Sequence, residues 1–140
     1  MARDRIVLDS GALSTLADES RSLRIAFRHI VKRHAPVVVP TVVIAEATTG
    51  DHRRDANVNH ALKSASLIGL DARIARSAAL LRHAHRRSGA GTIDAIVVAT
   101  ADVVPGTRVL TSDPHDLRLL ASVNGRTRII DVNDAGSLLS

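Results

Sequence analysis

Residues 37–39 are three consecutive valines held between Pro36 and Pro40. A β-branched run this short, closed by proline at each end, predicts a strand with turns on both sides rather than a helix. With no polar member, the strand is expected to be buried. Similar runs recur at Ile6–Leu8, at Leu67, Ile68 and Leu70, at Arg108–Thr111 and at residues 128–132. Helical patterns lie between them. Residues 12–16, then Leu23, Phe27, Ile30 and Val31 at near-helical spacing, separate the first two strands. Pro40 suits a helix start and Gly50 a stop, so residues 41–48 predict a helix despite their valines. Residues 55–66 predict another. Asp71 can cap a helix with Ile74, Ala78, Leu81 and His85 on one face. Residue 92 opens a helix to about residue 103, and Pro114 opens one that reaches Ala121. Strands alternating with helices at this spacing require crossover connections. The expected class is α/β, a three-layer sandwich with a central, mostly parallel five-stranded sheet and helices on both faces.

The chain has 140 residues. That length predicts a single domain spanning 1–140, able to bury roughly two-thirds of its unfolded surface without a metal or disulfide staple. Cysteine is absent, which excludes disulfides, thiolate nucleophiles, zinc ribbons and iron–sulfur clusters. It also fits a cytoplasmic location. Asp4 and Asp9 interrupt the apolar N-terminal stretch, so it does not read as a signal peptide, and no run approaches membrane-spanning length.

The 19 basic residues outnumber the 14 acidic ones, and only Lys32 and Lys63 are lysine. An arginine-dominated surface suits phosphate partners, because the guanidinium fork matches phosphate oxygens. Phe27 is the sole aromatic residue. That argues against modules that stack bases on Tyr or Phe platforms. Any bound RNA is then held by phosphate and shape. The stretch Arg82-His83-Ala84-His85-Arg86-Arg87 makes Arg82, Arg86 and Arg87 candidate phosphate contacts, with a solvated helix end as the plainer reading. His83 and His85, two apart on a helix, do not face each other and make a poor ligand pair.

The informative residues are acids in apolar company. Glu46 sits in Val42-Val43-Ile44-Ala45-Glu46-Ala47 and Asp94 in Thr92-Ile93-Asp94-Ala95-Ile96-Val97-Val98-Ala99. Asp9 and Asp113 each follow a strand. A buried carboxylate costs several kcal/mol unless paired or metal-bound, and neither apolar helix holds a Lys or Arg. In an open parallel sheet, residues just past the strand ends share one edge. Asp9, Glu46, Asp94 and Asp113 are therefore expected to meet there. Carboxylates gathered without cations cannot all ionise comfortably, and a hard divalent ion such as Mg²⁺ or Mn²⁺ resolves the conflict. Taken singly, each acid has a structural alternative. Asp9 suits a strand-end turn, Asp94 a helix dipole, Asp113 an N-cap, and Glu46 a side chain reaching solvent. Asp116 is either a further acid of the site or a helix-start charge. Ser10 and Thr111 can orient a carboxylate or serve turn and strand, and His115 lies close enough to touch substrate. Asp51, Asp55, Asp71, Asp102, Asp131 and Asp134 read as caps, turns or surface charge.

Val7-Leu8-Asp9-Ser10-Gly11-Ala12-Leu13, Pro40-Thr41-Val42-Val43-Ile44-Ala45-Glu46, residues 92–101 and Leu110-Thr111-Ser112-Asp113 resemble the four acidic motifs of PIN domains. Their order and spacing resemble the VapC-type ribonuclease toxins of bacterial toxin–antitoxin pairs. The resemblance implies a PIN-like fold and Mg²⁺-dependent RNA cleavage. It makes Asp9 and Asp94 the principal metal ligands, completed by Glu46 and Asp113 with Thr111 as a supporting hydroxyl. It also implies a homodimer and an inhibitory antitoxin. An amphipathic partner helix is expected to lie in a groove between residues 23–31 and 58–62. Two other readings remain at this point. A phospho-receiver also gathers acids at a sheet edge, but needs a Lys just after strand five, where neither Lys32 nor Lys63 lies. A non-catalytic α/β interaction domain would have no use for the complete acid set.

Overall fold

In the computed structural model, the structure describes residues 5–18, 25, 29 and 36–134. The elements run β1 (Ile6–Leu8), α1 (Ser10–Ala17), β2 (Val37–Pro40), α2 (Thr41–Ala47), α3 (Ala56–Leu62), β3 (Ser66–Ile68), α4 (Ala72–Ala84), α5 (Thr92–Asp102), β4 (Arg108–Thr111), α6 (Pro114–Ala121) and β5 (Arg128–Asp131). The five strands form one sheet in the order β3-β2-β1-β4-β5. Every pairing is parallel, so the expected mostly parallel sheet is wholly parallel among the described residues. The apolar pattern at Leu23, Phe27, Ile30 and Val31 lies outside the described residues.

All residues of β1 and β2 are buried. Neighbouring residues of a strand point to opposite faces, so unbroken burial means both faces are covered. α1 packs against α2 and α3, while α4, α5 and α6 pack on one another. β1 is central, with Val7 opposite Val38 on one side and Val109 on the other. From β1 the chain builds outward through β2 and β3, then returns to lay β4 on the opposite side. The C-terminal ends of β1 and β4 thus flank a topological switch point, where open α/β sheets form a crevice.

α5 is the core helix, with every residue from Ala95 to Asp102 buried. Its far end is fastened twice. The Arg5 guanidinium donates to the carbonyls of Thr100 (2.7 Å) and Ala101 (3.4 Å) and to Thr107 Oγ1 (3.3 Å). Asp102 accepts from Thr127 Oγ1 (2.7 Å) and Asn124 Nδ2 (2.8 Å). Asp102 is thus a buried structural acceptor, not the cap, turn or surface charge expected of it.

Two elements end or shift for the sheet's sake. The helix expected over 55–66 stops at Leu62, because Ser66 pairs with Val38 as the start of β3. Leu70, expected in that strand, lies outside it, and Leu67 and Leu70 are exposed on this edge. Val58, placed in a partner groove by the sequence, is taken up by the core. Asp55 sits at the start of α3 without capping it, and instead is buried and accepts from the Thr49 and Gly50 amides and the Thr49 hydroxyl. Those bonds, the Thr49 amide first, hold its carboxyl below the usual range. Asp71 caps α4 through the Ile74 amide as expected.

Candidate active site: a carboxylate cluster at the switch point

Asp9 leaves β1 with extended backbone and serves as the N-cap of α1. Its Oδ1 accepts from the Ala12 amide at 2.8 Å, satisfying a helix-end donor. Its Oδ2 accepts from Thr111 Oγ1, the last residue of β4, at 2.5 Å. Thr111 Oγ1 also accepts from the Asp113 amide at 3.0 Å, so one hydroxyl ties the two strand ends together. The turn after β4 lies against α1. A Cβ on Gly11 would stand 2.0 Å from Ser112 Oγ and 3.1 Å from Ser112 Cβ, so glycine permits this approach. Sequence reasoning had no role for Gly11 or Ser112, although a glycine one residue into a helix was a signal of close approach.

Glu46 is the penultimate residue of α2, and its Oε1 accepts a short hydrogen bond from Ser10 Oγ. Only Val43 of α2 is buried and Glu46 itself is exposed. Val42, Ile44 and Ala47 pack against the core while Glu46 turns to solvent, so the burial argument made from its sequence does not hold. Its place in the site comes from Ser10. Asp94 lies in the first turn of α5, half-buried, and Asp116 in the first turn of α6, also half-buried. Asp113 precedes Pro114 and is exposed, with no side-chain cap bond. Of the four principal acids only Asp9 is buried, at 8% exposure.

The charges nevertheless act on one another. Burial first, then the carboxylates of Asp9, Glu46, Asp116 and Asp113, push the Asp94 carboxyl up to about 6. Burial also pushes Asp9 above the usual range. The Thr111 and Ala12 bonds oppose that push, and the Glu46 and Asp113 charges add to it. The five acids are thus close enough to repel, with no cation among the groups acting on Asp94. Among the described residues no three Asp, Glu or His side chains stand close enough to hold an ion as they are. The donor set still fits a hard divalent cation. It is all oxygen, it is electrostatically unbalanced, and its two most restrained members, Asp9 and Glu46, are each held by a hydroxyl.

The arginines expected near the site are exposed. Arg82 Nη1 donates to Thr92 Oγ1 at 2.6 Å, which places it two residues from Asp94. Arg86 Nη1 donates to the His83 carbonyl at 3.1 Å. His115 is exposed, one residue before Asp116. No helix among the described residues is long and apolar enough to cross a membrane.

Solved structures that share the fold include a DNA-bound VapBC from Salmonella typhimurium (17% identity, 92% of this chain and 98% of that one, TM-score 0.72), VapBC2 from Rickettsia felis bound to a promoter DNA fragment (10%, 91% and 98%, 0.72), and PAE2754 from Pyrobaculum aerophilum (18%, 99% and 98%, 0.59). No protein of curated function matches the chain significantly. The PIN domain profile matches residues 6–122, which contain every acid of the cluster. This chain belongs to the PIN domain family.

Proposed function

We propose that this protein is a metal-dependent endoribonuclease, a hydrolase of RNA phosphodiester bonds, acting as the VapC-type toxin of a toxin–antitoxin pair. The observation that carries the reading is the unbalanced carboxylate cluster at the switch point, in a chain of the PIN family. Asp9, Glu46, Asp94 and Asp113 would hold Mg²⁺, with Mn²⁺ able to substitute. When bound, the ion supplies a water of lowered pKa and offsets charge on the scissile phosphate. Thr111 fixes the rotamer of Asp9, and Ser10 fixes that of Glu46. Asp116 adds to the negative field on Asp94. With no Cys or Tyr in the chain, water is the simplest nucleophile. Arg82, Arg86 and Arg87, on the helix end leading into α5, would take RNA phosphates.

The likeness to the VapBC structures, which pair a toxin with its antitoxin, supports an antitoxin partner for this chain. An antitoxin arginine would fork onto two of these carboxylates. In this reading the protein works in the cytoplasm as a homodimer. The test is to incubate total RNA with the purified protein, with and without Mg²⁺ or Mn²⁺, beside Asp94→Asn. Metal-dependent fragments from the wild type alone support the assignment. Equal cleavage by a folded Asp94→Asn variant removes Asp94 from the mechanism. Absence of cleavage with either metal overturns the ribonuclease reading.

A further inference from the structure

A second concave surface lies outside the carboxylate cluster. The end of α4 and the turn after it face α6 across an open cleft of ≈ 580 Å³, lined by Ala84, His85, Arg86, Arg87, Ser88 and Leu119. The cleft is open to solvent, so it offers a ligand one face rather than an enclosure. None of the lining residues is acidic, although two are arginines.

The lining divides by chemistry. Ala84 and Leu119 supply an apolar surface. Ser88 is committed to the turn, donating to the His85 carbonyl at 2.7 Å and accepting from the Ala90 amide at 3.3 Å. Gly89 turns with φ +79, which only glycine adopts freely. Arg86 is tethered to the His83 carbonyl. The Arg87 guanidinium has no partner among the described residues. The rim is thus a braced turn that presents one tethered and one unengaged cation beside an apolar wall and a half-buried imidazole.

The cleft and the acidic site share α6. Asp116, whose charge acts on Asp94, and Leu119 are three residues apart on the same face of that helix. Their separation along the axis is about 4.5 Å at the usual helical rise. The same turn that carries Arg86 and Arg87 also leads directly into Thr92 and Asp94.

We propose that this cleft is a nucleotide subsite, taking the residue next to the scissile phosphate with its base against Ala84 and Leu119 and its phosphate on Arg87 and Arg86. The proposal rests on the ribonuclease reading and deepens it, since it assigns a place where one nucleotide is gripped. A nucleotide combines a flat, largely apolar body with an anion at one end, as the lining requires. A carboxylate side chain offers the anion without the body. The imidazole of His85 supplies a hydrogen-bonding group at the base edge, which makes the subsite a source of base preference.

The test uses the full chain carrying Asp94→Asn, so that binding is read without turnover. Inorganic phosphate, each of the four 5′-ribonucleotide monophosphates and a short polyglutamate peptide are titrated by ¹H–¹⁵N NMR. The expected result is that at least one nucleotide binds tenfold or more tightly than phosphate and shifts residues 84–88 and 119. Adding Arg87→Glu should weaken that binding about tenfold or more, as loss of a charge-assisted contact does. Nucleotide binding no tighter than phosphate, tighter binding of the peptide, or an unchanged affinity in the folded Arg87→Glu variant overturns the proposal. On the intact catalytic background, Arg87→Glu should raise the KM for RNA about tenfold with kcat little changed. It should also reduce the salt dependence of RNA affinity by about 0.7 in the log–log slope. Wild-type cleavage with KM and base preference untouched by Arg87→Glu sinks the subsite alone. Nucleotide binding in the cleft without any RNA cleavage sinks the ribonuclease reading instead.

Discussion

Replacing Asp94 by asparagine should stabilise the metal-free protein at neutral pH, and the size of the gain can be worked from the site. The folded state pushes the Asp94 carboxyl from 3.8 to about 6. At full strength that difference is worth about 3 kcal/mol against the folded, ionised form. The side chain is half-exposed, so solvent screens the like charges, and about half, ~1.5 kcal/mol, is the realistic penalty. Asparagine also forfeits the attraction between a first-turn carboxylate and the helix dipole, about 0.5 kcal/mol. The repulsion wins, leaving a net gain of ~1 kcal/mol, or about 3 °C in Tm for a chain of this size. The sign with pH follows from the raised pKa. In the acid range below 3.8 the group is protonated in both states and the substitution is nearly neutral. The penalty then grows as pH rises and is complete above about 6. The assay is a set of melting curves by circular dichroism between pH 4 and 8 in chelator. An Asp94→Asn variant that melts below wild type at pH 7.5, or a gap that does not change with pH, refutes the reasoning. Mg²⁺ at a hundred times its Kd should reverse the order, since it would add about 2.7 kcal/mol to the wild type.

Three further outcomes are expected. Thr111→Val removes the hydroxyl that donates to Asp9 Oδ2 and should raise the Asp9 pKa further, read by carboxylate NMR titration, while slowing RNA cleavage at least tenfold. Gly11→Ala should lower the urea midpoint because its Cβ meets Ser112, and adding Ser112→Gly should more than restore stability by exposing alanine's helix preference of roughly 1 kcal/mol. Arg5→Met should cost about 2 kcal/mol in chemical denaturation, because it strips charged donors from the Thr100 and Ala101 carbonyls, while the Thr107 hydroxyl keeps its bond to the Val104 carbonyl.

Much of this architecture was legible in short stretches of chain. The prolines around Val37, Val38 and Val39 marked β2, and the apolar run after Asp94 marked the core helix. Local signals failed where pairing partners decide the outcome. Residues 63–65 carry no helix-stopping glycine or proline, and only the ladder between Ser66 and Val38 explains why α3 ends early. Leu67 looked like core because leucine usually is, yet β3 is an edge strand and leaves it 52% exposed. The same limit applied to the acids. Asp9, Asp94 and Asp113 were placed at the sheet edge by topology. The exposure of Glu46 and the burial of Asp102 depend on what packs over them. A count of apolar neighbours in sequence does not report that, because α2 packs Val43 into the core yet turns Glu46 to solvent, and the end of α5 meets Thr127 from the segment just before β5.

The two helices that bring Asp94 and Glu46 to the site differ greatly in how firmly they are held, and that difference should show in amide exchange. α5 has eight successive buried residues and both Arg5 and Asp102 bonded at its far end. Its amides should exchange with solvent only through global opening. α2 has seven residues and a single buried side chain. Its amides should exchange through local fluctuations at far lower cost. The acidic cluster therefore joins a rigid half to a compliant half. The compliant half carries Glu46, so the Ser10 hydroxyl rather than the helix beneath it holds that carboxylate in place, while Asp94 is positioned by its own helix.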